Sequence, residues 1–296
     1  MLARQMRRAQ LVELALYVAV AAWLRSRGWG LAAAALAVPA LALGIRLAIV
    51  CGLYALARPR ERLSPGAWVA MLLREYRALV AMNLLYTPWE ASFVRPDPAD
   101  DAPGELAVVL VHGYFVNRGC WKPLLPHLEA ARIGPVFLPN CRSHLASIER
   151  FEEDLHAAIE RASGRGARRV ALVAHSMGGL AARLYLARRG GSRVAKLITI
   201  GSPHHGTRIA RWGIGPNARQ MEPGSAFLEA LEAAEAGRRA PPTLCIGSAH
   251  DDMIAPQVSS RLEWARNVAL RGYGHVSLLG AREVAQLVVE ELQGAR

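Results

Sequence analysis

Cysteine is scarce in this chain, with four in 296 residues: Cys51, Cys120, Cys141 and Cys245. There is no C-x-x-C pair, and Cys51 sits inside an apolar run, which leaves an odd number elsewhere. That excludes a disulfide-stapled scaffold and a zinc ribbon, and buried free thiols are expected instead. Lysine is nearly missing, since only Lys122 and Lys196 occur. The net charge of +12 is therefore carried by arginine, a skew that points to coding bias more than to a nucleic-acid surface. Basic residues are not interleaved with aromatics and no recognition motif is present, so no nucleic-acid partner is expected. There is no internal repeat, which excludes a solenoid.

The N-terminal residues, 1–57, differ from the rest. Residues 9–24 are apolar apart from Gln10 and Glu13, and residues 31–57 are apolar apart from Arg46. The second run exceeds the roughly 20 residues needed to cross a hydrocarbon layer, and the first is close to that length. Arg4, Arg7, Arg8, Arg25, Arg27, Arg58, Arg60 and Arg62 flank the runs. A signal peptide is the competing reading, but no small-x-small cleavage site precedes a polar start and a second apolar run follows at once. The expectation is a transmembrane helical hairpin with a tight turn at 25–28. More arginine lies outside the pair than in the turn, so the positive-inside bias puts both flanks and the following domain in the cytoplasm; if only the second run spans, as a single-helix anchor, the orientation is open.

Residues 58–104 are expected to be an amphipathic helix and a linker. Ser64-Pro65 is a good helix start. Val69, Leu72, Leu73, Tyr76, Leu79 and Val80 then recur at helical spacing, with Arg74, Glu75 and Arg77 between them. Such a helix either lies on a bilayer or covers the domain. The linker runs from Pro96 to Gly104 with Asp97, Asp100 and Asp101 among its prolines.

From residue 105 to 296 strand-like and helix-like stretches alternate. Strands are expected at 106–111, 136–139, 170–173, 194–200, 243–246 and 267–270, with helices over 121–131, 148–159, 181–186 and 284–292. That alternation builds an α/β domain, a mostly parallel sheet with helices on both faces. Parallel strands present their carboxyl ends along one edge, and His112-Gly113-Tyr114, Ser176, Asp252 and His275 each follow a strand.

The chain is organised around Ala174-His175-Ser176-Met177-Gly178-Gly179. A strand that turns at once into a helix throws the serine onto a tight bend, with small neighbours letting the backbone pass. A serine hydroxyl needs a base to remove its proton, and the base needs an acid to hold its tautomer. The order Ser176, Asp252, His275 and these segments together resemble the α/β-hydrolases, and the minimal bacterial lipases in particular, whose first elbow glycine is likewise replaced by alanine. Val111-His112-Gly113 resembles their oxyanion lead-in. Asp252-Met253-Ile254 resembles the acid segment, Asn267-Val268 through Gly274-His275 the base segment, and Ser202-Pro203-His204-His205-Gly206-Thr207 a loop common in bacterial lipases.

The resemblance covers roughly residues 105–294 and implies an α/β-hydrolase fold. It makes Ser176 the nucleophile, His275 the general base and Asp252 the orienting carboxylate, with an oxyanion hole from the backbone N–H groups of Met177 and Tyr114. The Tyr114 ring, with Phe115, is placed to wall an acyl pocket. Asp251 is the rival acid: neighbours at a strand end point to opposite sides, and the D-x-I-x-P spacing to Pro256 favours Asp252. His175 is expected to pack at the elbow and His112 to brace the oxyanion loop. The spacing of His204, His205, His250 and Asp251 matches no zinc motif, so neither a metal nor another cofactor is expected.

The expected protein is a membrane-anchored serine hydrolase of the lipase or esterase kind in a bacterial inner membrane. Its expected partners are an ester or lipid substrate and the bilayer. An acyl thioesterase is the nearest alternative, because fold does not fix substrate. A non-catalytic membrane adaptor with a hydrolase shell is the alternative of another class. Oligomeric state stays open.

Overall fold

A computed structural model describes residues 1–98, 106–141 and 144–295. The expected linker lies outside the described residues from position 99 onward.

Three helices come first: α1 (Leu2–Ser26), α2 (Leu31–Ala57) and α3 (Pro65–Ala81), followed by the short α4 (Glu90–Phe93). The chain then alternates β1 (Leu106–Val111), α5 (Leu125–Ala130), β2 (Val136–Phe137), α6 (Ile148–Ser163), β3 (Arg169–His175), α7 (Met177–Arg189) and β4 (Val194–Ile200). Two short helices, α8 (Pro216–Gln220) and α9 (Ala226–Glu235), precede β5 (Thr243–Ser248), β6 (Arg266–Leu270) and the closing α10 (Arg282–Gln293). Among the described residues the strands form one six-stranded sheet in the order β2-β1-β3-β4-β5-β6. Every neighbouring pair is parallel. The α/β architecture expected from the alternation is present, with β2 reduced to two residues.

β1 reads Leu-Ala-Val-Val-Leu-Val and is buried throughout. A strand covered on both faces tolerates such a run. Ala107, Val109 and Val111 join the layer built by α6 and α7, whereas Leu106, Val108 and Leu110 join the layer of Trp121, Leu128 and α10. This is the two-residue alternation of a pleated strand. The sheet order reverses beside β1, whose neighbours are β2 and β3. Loops leaving the carboxyl ends of β1 and β3 therefore meet at the crevice where open α/β sheets bind ligands.

α1 and α2 pack as a hairpin, and each is long and apolar enough to cross a membrane by length and composition. The polar exceptions in the two apolar runs find partners. Arg46 donates to Glu13 through both terminal nitrogens, at 2.7 and 3.0 Å, and the Tyr17 hydroxyl also donates to Glu13. Gln10 donates to the carbonyls of Asn83 and Leu84, and Arg7 to that of Pro88. Paired charges are the form in which ionisable side chains persist in apolar surroundings. Cys51, expected to be buried, is exposed on α2, while Cys120 and Cys245 are buried.

Ser64 caps α3, its hydroxyl accepting from the Ala67 N–H at 3.3 Å, with Pro65 in the first turn. α3 covers the domain, and its buried face differs from the one expected. Met71, Glu75 and Leu79 are buried at four-residue spacing, whereas Val69 and Leu73 are exposed. Glu75 goes inward because its carboxylate has backbone donors waiting, described below.

Candidate active site

Ser176 stands between β3 and α7 with φ 56° and ψ −129°. A non-glycine residue at positive φ is strained, and it persists only where the surroundings impose it. Here they do: the Ser176 N–H donates to the Ile200 carbonyl at 2.9 Å, and its carbonyl accepts from Gly179 at 3.0 Å. Gly178 is required by close approach, because a Cβ there would lie 2.6 Å from the carbonyl oxygens of Val111 and His112. Met177 opens α7, so its N–H is one of the first-turn donors without an intrahelical acceptor. Tyr114 follows β1, and its hydroxyl both donates to the Ile214 carbonyl and accepts from the Ile214 N–H, at 2.8 and 2.9 Å. The loop after β1 is thereby tied to the loop after β4.

His275 is buried at the same sheet edge. The ring of His175, the residue before Ser176, lies 4.7 Å from the His275 ring centre to centre. Among the described residues the Ser176 hydroxyl makes no hydrogen bond. It lines, with Tyr114, Phe115 and Val276, a cavity of about 610 Å³. A larger cavity of about 830 Å³, bordered by Arg183, Glu232 and Trp264, does not include Ser176.

The carboxylate on the His275 ring is that of Asp251. Its Oδ2 and Oδ1 lie 3.0 and 3.1 Å from Nδ1. Asp252, the expected partner, accepts from the His275 backbone N–H at 2.9 Å through Oδ1, and its Oδ2 has no partner among the described residues. The expectation fails for a local reason. β5 ends at Ser248, so residues 249–252 form a turn and strand alternation does not carry to them. Asp251 Oδ1 accepts from the N–H groups of Met253 and Ile254, both at 2.8 Å, in an Asx-type turn that aims the carboxylate at the imidazole.

A third carboxylate lies here, from outside the expected site. Glu75 of α3 is fully buried and accepts from the backbone N–H groups of Val276 and Ser277, both at 2.8 Å. Gly274 lacks a side chain where a Cβ would overlap that carboxylate. Arg74 adds a hydrogen bond to the Gly272 carbonyl and stacks over Tyr273 at 4.5 Å. The histidine loop is thus held by a helix that precedes the sheet. The available signal was a carboxylate four residues from both Met71 and Leu79, on one stripe of the helix.

Burial pulls the His275 imidazole down, and the charge and hydrogen bond of Asp251, with Asp252 and Glu75 behind, more than offset it, so its pKa is raised above 6.5. Burial, then the neighbouring Glu75 and Asp251, push Asp252 well above the usual carboxylate range. Burial also raises Glu75, against its hydrogen bonds to Ser277 and Val276. Like charges in one buried site cannot all ionise.

His112, His204 and His205 are engaged locally. His112 accepts from the Cys141 N–H through Nε2 at 3.1 Å and bonds the Gly113 carbonyl through Nδ1 at 3.0 Å, so it braces the loop after β1. Burial lowers its pKa to about 4, which keeps it neutral. His204 meets the Thr199 hydroxyl, and His205 the Arg261 carbonyl. Among the described residues no group of three or more His, Cys, Asp or Glu side chains is arranged to hold a metal ion.

A model of the alpha/beta hydrolase family matches residues 108–280. The chain belongs to the alpha/beta hydrolase family. Solved structures similar to this alpha/beta hydrolase include lipase B of Aspergillus fumigatus, at TM-score 0.59 and 22% identity over 66% of this chain and 55% of that one. A mature lipase of Bacillus licheniformis matches at TM-score 0.57 and 15% identity, over 66% of this chain and 96% of that one. This alpha/beta hydrolase therefore spans just over half the length of the Aspergillus protein. At these identities the likeness is one of fold.

Proposed function

We propose that this alpha/beta hydrolase is a membrane-anchored serine hydrolase that cleaves carboxylic esters of lipids. The observation that carries the reading is the strained Ser176 turn, open to a cavity, whose preceding residue His175 has its ring 4.7 Å from a buried imidazole with a carboxylate on its Nδ1. In this reading His275 Nε2 removes the Ser176 proton as the hydroxyl oxygen attacks the ester carbonyl. Asp251 holds the Nδ1–H tautomer and offsets the imidazolium charge. The backbone N–H groups of Met177 and Tyr114 receive the oxyanion, where losing one donor typically costs about 2.7–4 kcal/mol of transition-state stabilisation. His275 then protonates the departing alcohol, and water cleaves the acyl-enzyme by the reverse sequence. Asp252, first expected on the imidazole, anchors the His275 backbone instead. The Ser176 hydroxyl engages His275 when substrate arrives, as catalytic hydrogen bonds often tighten only then.

The hairpin of residues 1–57 serves as the membrane anchor, residues 58–104 connect it, and the catalytic domain occupies residues 105–296. The lengths of α1 and α2, their exposed leucines and valines, and the flanking arginines support this reading. The same arginine bias sets the domain on the cytoplasmic side. Lipases among the similar structures make lipid esters the natural first substrates to try.

The test is hydrolysis of matched nitrophenyl esters and acyl thioesters by detergent-solubilised full-length protein and by Ser176→Ala. The expected outcome is ester turnover that falls by at least about 10⁴-fold in the variant. Turnover that survives in Ser176→Ala would remove the nucleophile, and a clear preference for thioesters would move the substrate to that class.

A further inference from the structure

The cavity at Ser176 is not walled by the sheet domain alone. Its lining includes Ile209, Trp212 and Ile214 from the loop after β4, and also Ile45, Ile49 and Leu53 of α2. Those three recur every four residues and so form one row on the helix. At 1.5 Å per residue the row is about 12 Å long. At its domain end Leu53 packs with Ala57, Ile209 and Ala255, which seats α2 on the catalytic domain. At its far end the charges of Arg46 and Glu13 neutralise each other. Ile45 and Ile49 are each 47% exposed, so little of this chain covers them. A bare aliphatic row thus runs from a nucleophilic hydroxyl into a hairpin of membrane-spanning length.

We propose that this face of α2 is one wall of the acyl-binding site, and that the substrate is a long-chain ester entering from the adjoining leaflet along the hairpin. The proposal rests on the serine hydrolase reading and deepens it. With the ester carbonyl at Ser176, the acyl chain lies against Leu53, Ile49 and Ile45 in turn. The hairpin then selects substrate as well as holding the enzyme at its source. Trp212 and Ile214, both exposed, line the same cavity.

The test uses full-length protein in mixed micelles with butanoyl and hexadecanoyl nitrophenyl esters. Ile49→Trp and Leu53→Trp, which fill the row, are expected to lower the long-to-short ratio of kcat/KM by about tenfold or more. Leu47→Trp, on the same helix but not lining the cavity, is the control and leaves the ratio unchanged. Because a bulky residue can disturb folding, a second measurement uses the unaltered protein. A long-chain alkyl fluorophosphonate with a terminal diazirine is bonded to Ser176 and photolysed, and crosslinks to residues 45–53 are expected. Labelling at Ser176 with crosslinks confined to the sheet domain, or an unchanged ratio in both Trp variants, overturns the acyl wall and leaves the hydrolase standing. Failure to label Ser176 at all removes the hydrolase reading and this proposal with it.

Discussion

His275 Nδ1 faces both carboxylate oxygens of Asp251, at 3.0 and 3.1 Å, while the adjacent Asp252 reaches only the His275 backbone N–H. Two neighbouring aspartates thus hold one histidine by different handles. If the imidazole is the general base, the two should respond differently to the same substitution. Asp251→Asn is expected to lower kcat by about 10³–10⁴-fold, since the amide no longer fixes the tautomer or stabilises the imidazolium. Asp252→Asn retains an oxygen that accepts from the His275 N–H and should stay within about tenfold of wild type, since weakening one such hydrogen bond costs about 1 kcal/mol. Kinetics on purified variants of matched thermal stability decide between them. The opposite ranking would restore Asp252 as the acid.

The pH profile follows from the same geometry. The raised pKa of His275 means the imidazolium persists to higher pH than an ordinary histidine. An imidazolium has no lone pair for the Ser176 proton, so kcat/KM should fall as pH drops through a value above 6.5. Asp251→Asn removes the leading upward influence. Its acid limb should therefore move to lower pH even as the plateau rate drops. A limb that stays in place, or moves up, would separate His275 from Asp251 in the reaction.

Glu75 is expected to be a positioning residue. Its carboxylate satisfies the Val276 and Ser277 N–H groups beside His275. Glu75→Ala strands two buried donors, at about 1–3 kcal/mol each, and lets the histidine loop shift. A displacement of about 1 Å at a catalytic group can cost about 10²-fold in rate. We expect kcat to fall with KM little changed, and Glu75→Gln to recover part of the loss because one acceptor remains. Loss of thermal stability with an unaltered kcat in the folded fraction would make Glu75 structural only.

What the sequence reveals here, and what it hides, divides along physical lines. The Ser176 turn is readable because an abrupt strand-to-helix bend demands small neighbours, and Gly178 meets the Val111 and His112 carbonyls in the way that demand implies. The strands are readable because a sheet covered on both faces needs continuous apolar runs such as residues 106–111. The choice between Asp251 and Asp252 depends on a turn that begins after Ser248, where alternation has no force. Glu75 is hidden because helical periodicity sends charged residues outward, and its partners lie 201 and 202 positions away. The approach of α2 to the Ser176 cavity is hidden for the same reason: nothing local in either segment refers to the other.

The proposed role of Ser176 as nucleophile is tested most directly by covalent mapping. Full-length protein in detergent is treated with a tagged fluorophosphonate, digested, and the modified peptide sequenced by mass spectrometry. The expected result is a single adduct on Ser176, absent from Ser176→Ala and slowed in Asp251→Asn. An adduct on another residue, or undiminished labelling of Ser176→Ala, would contradict it.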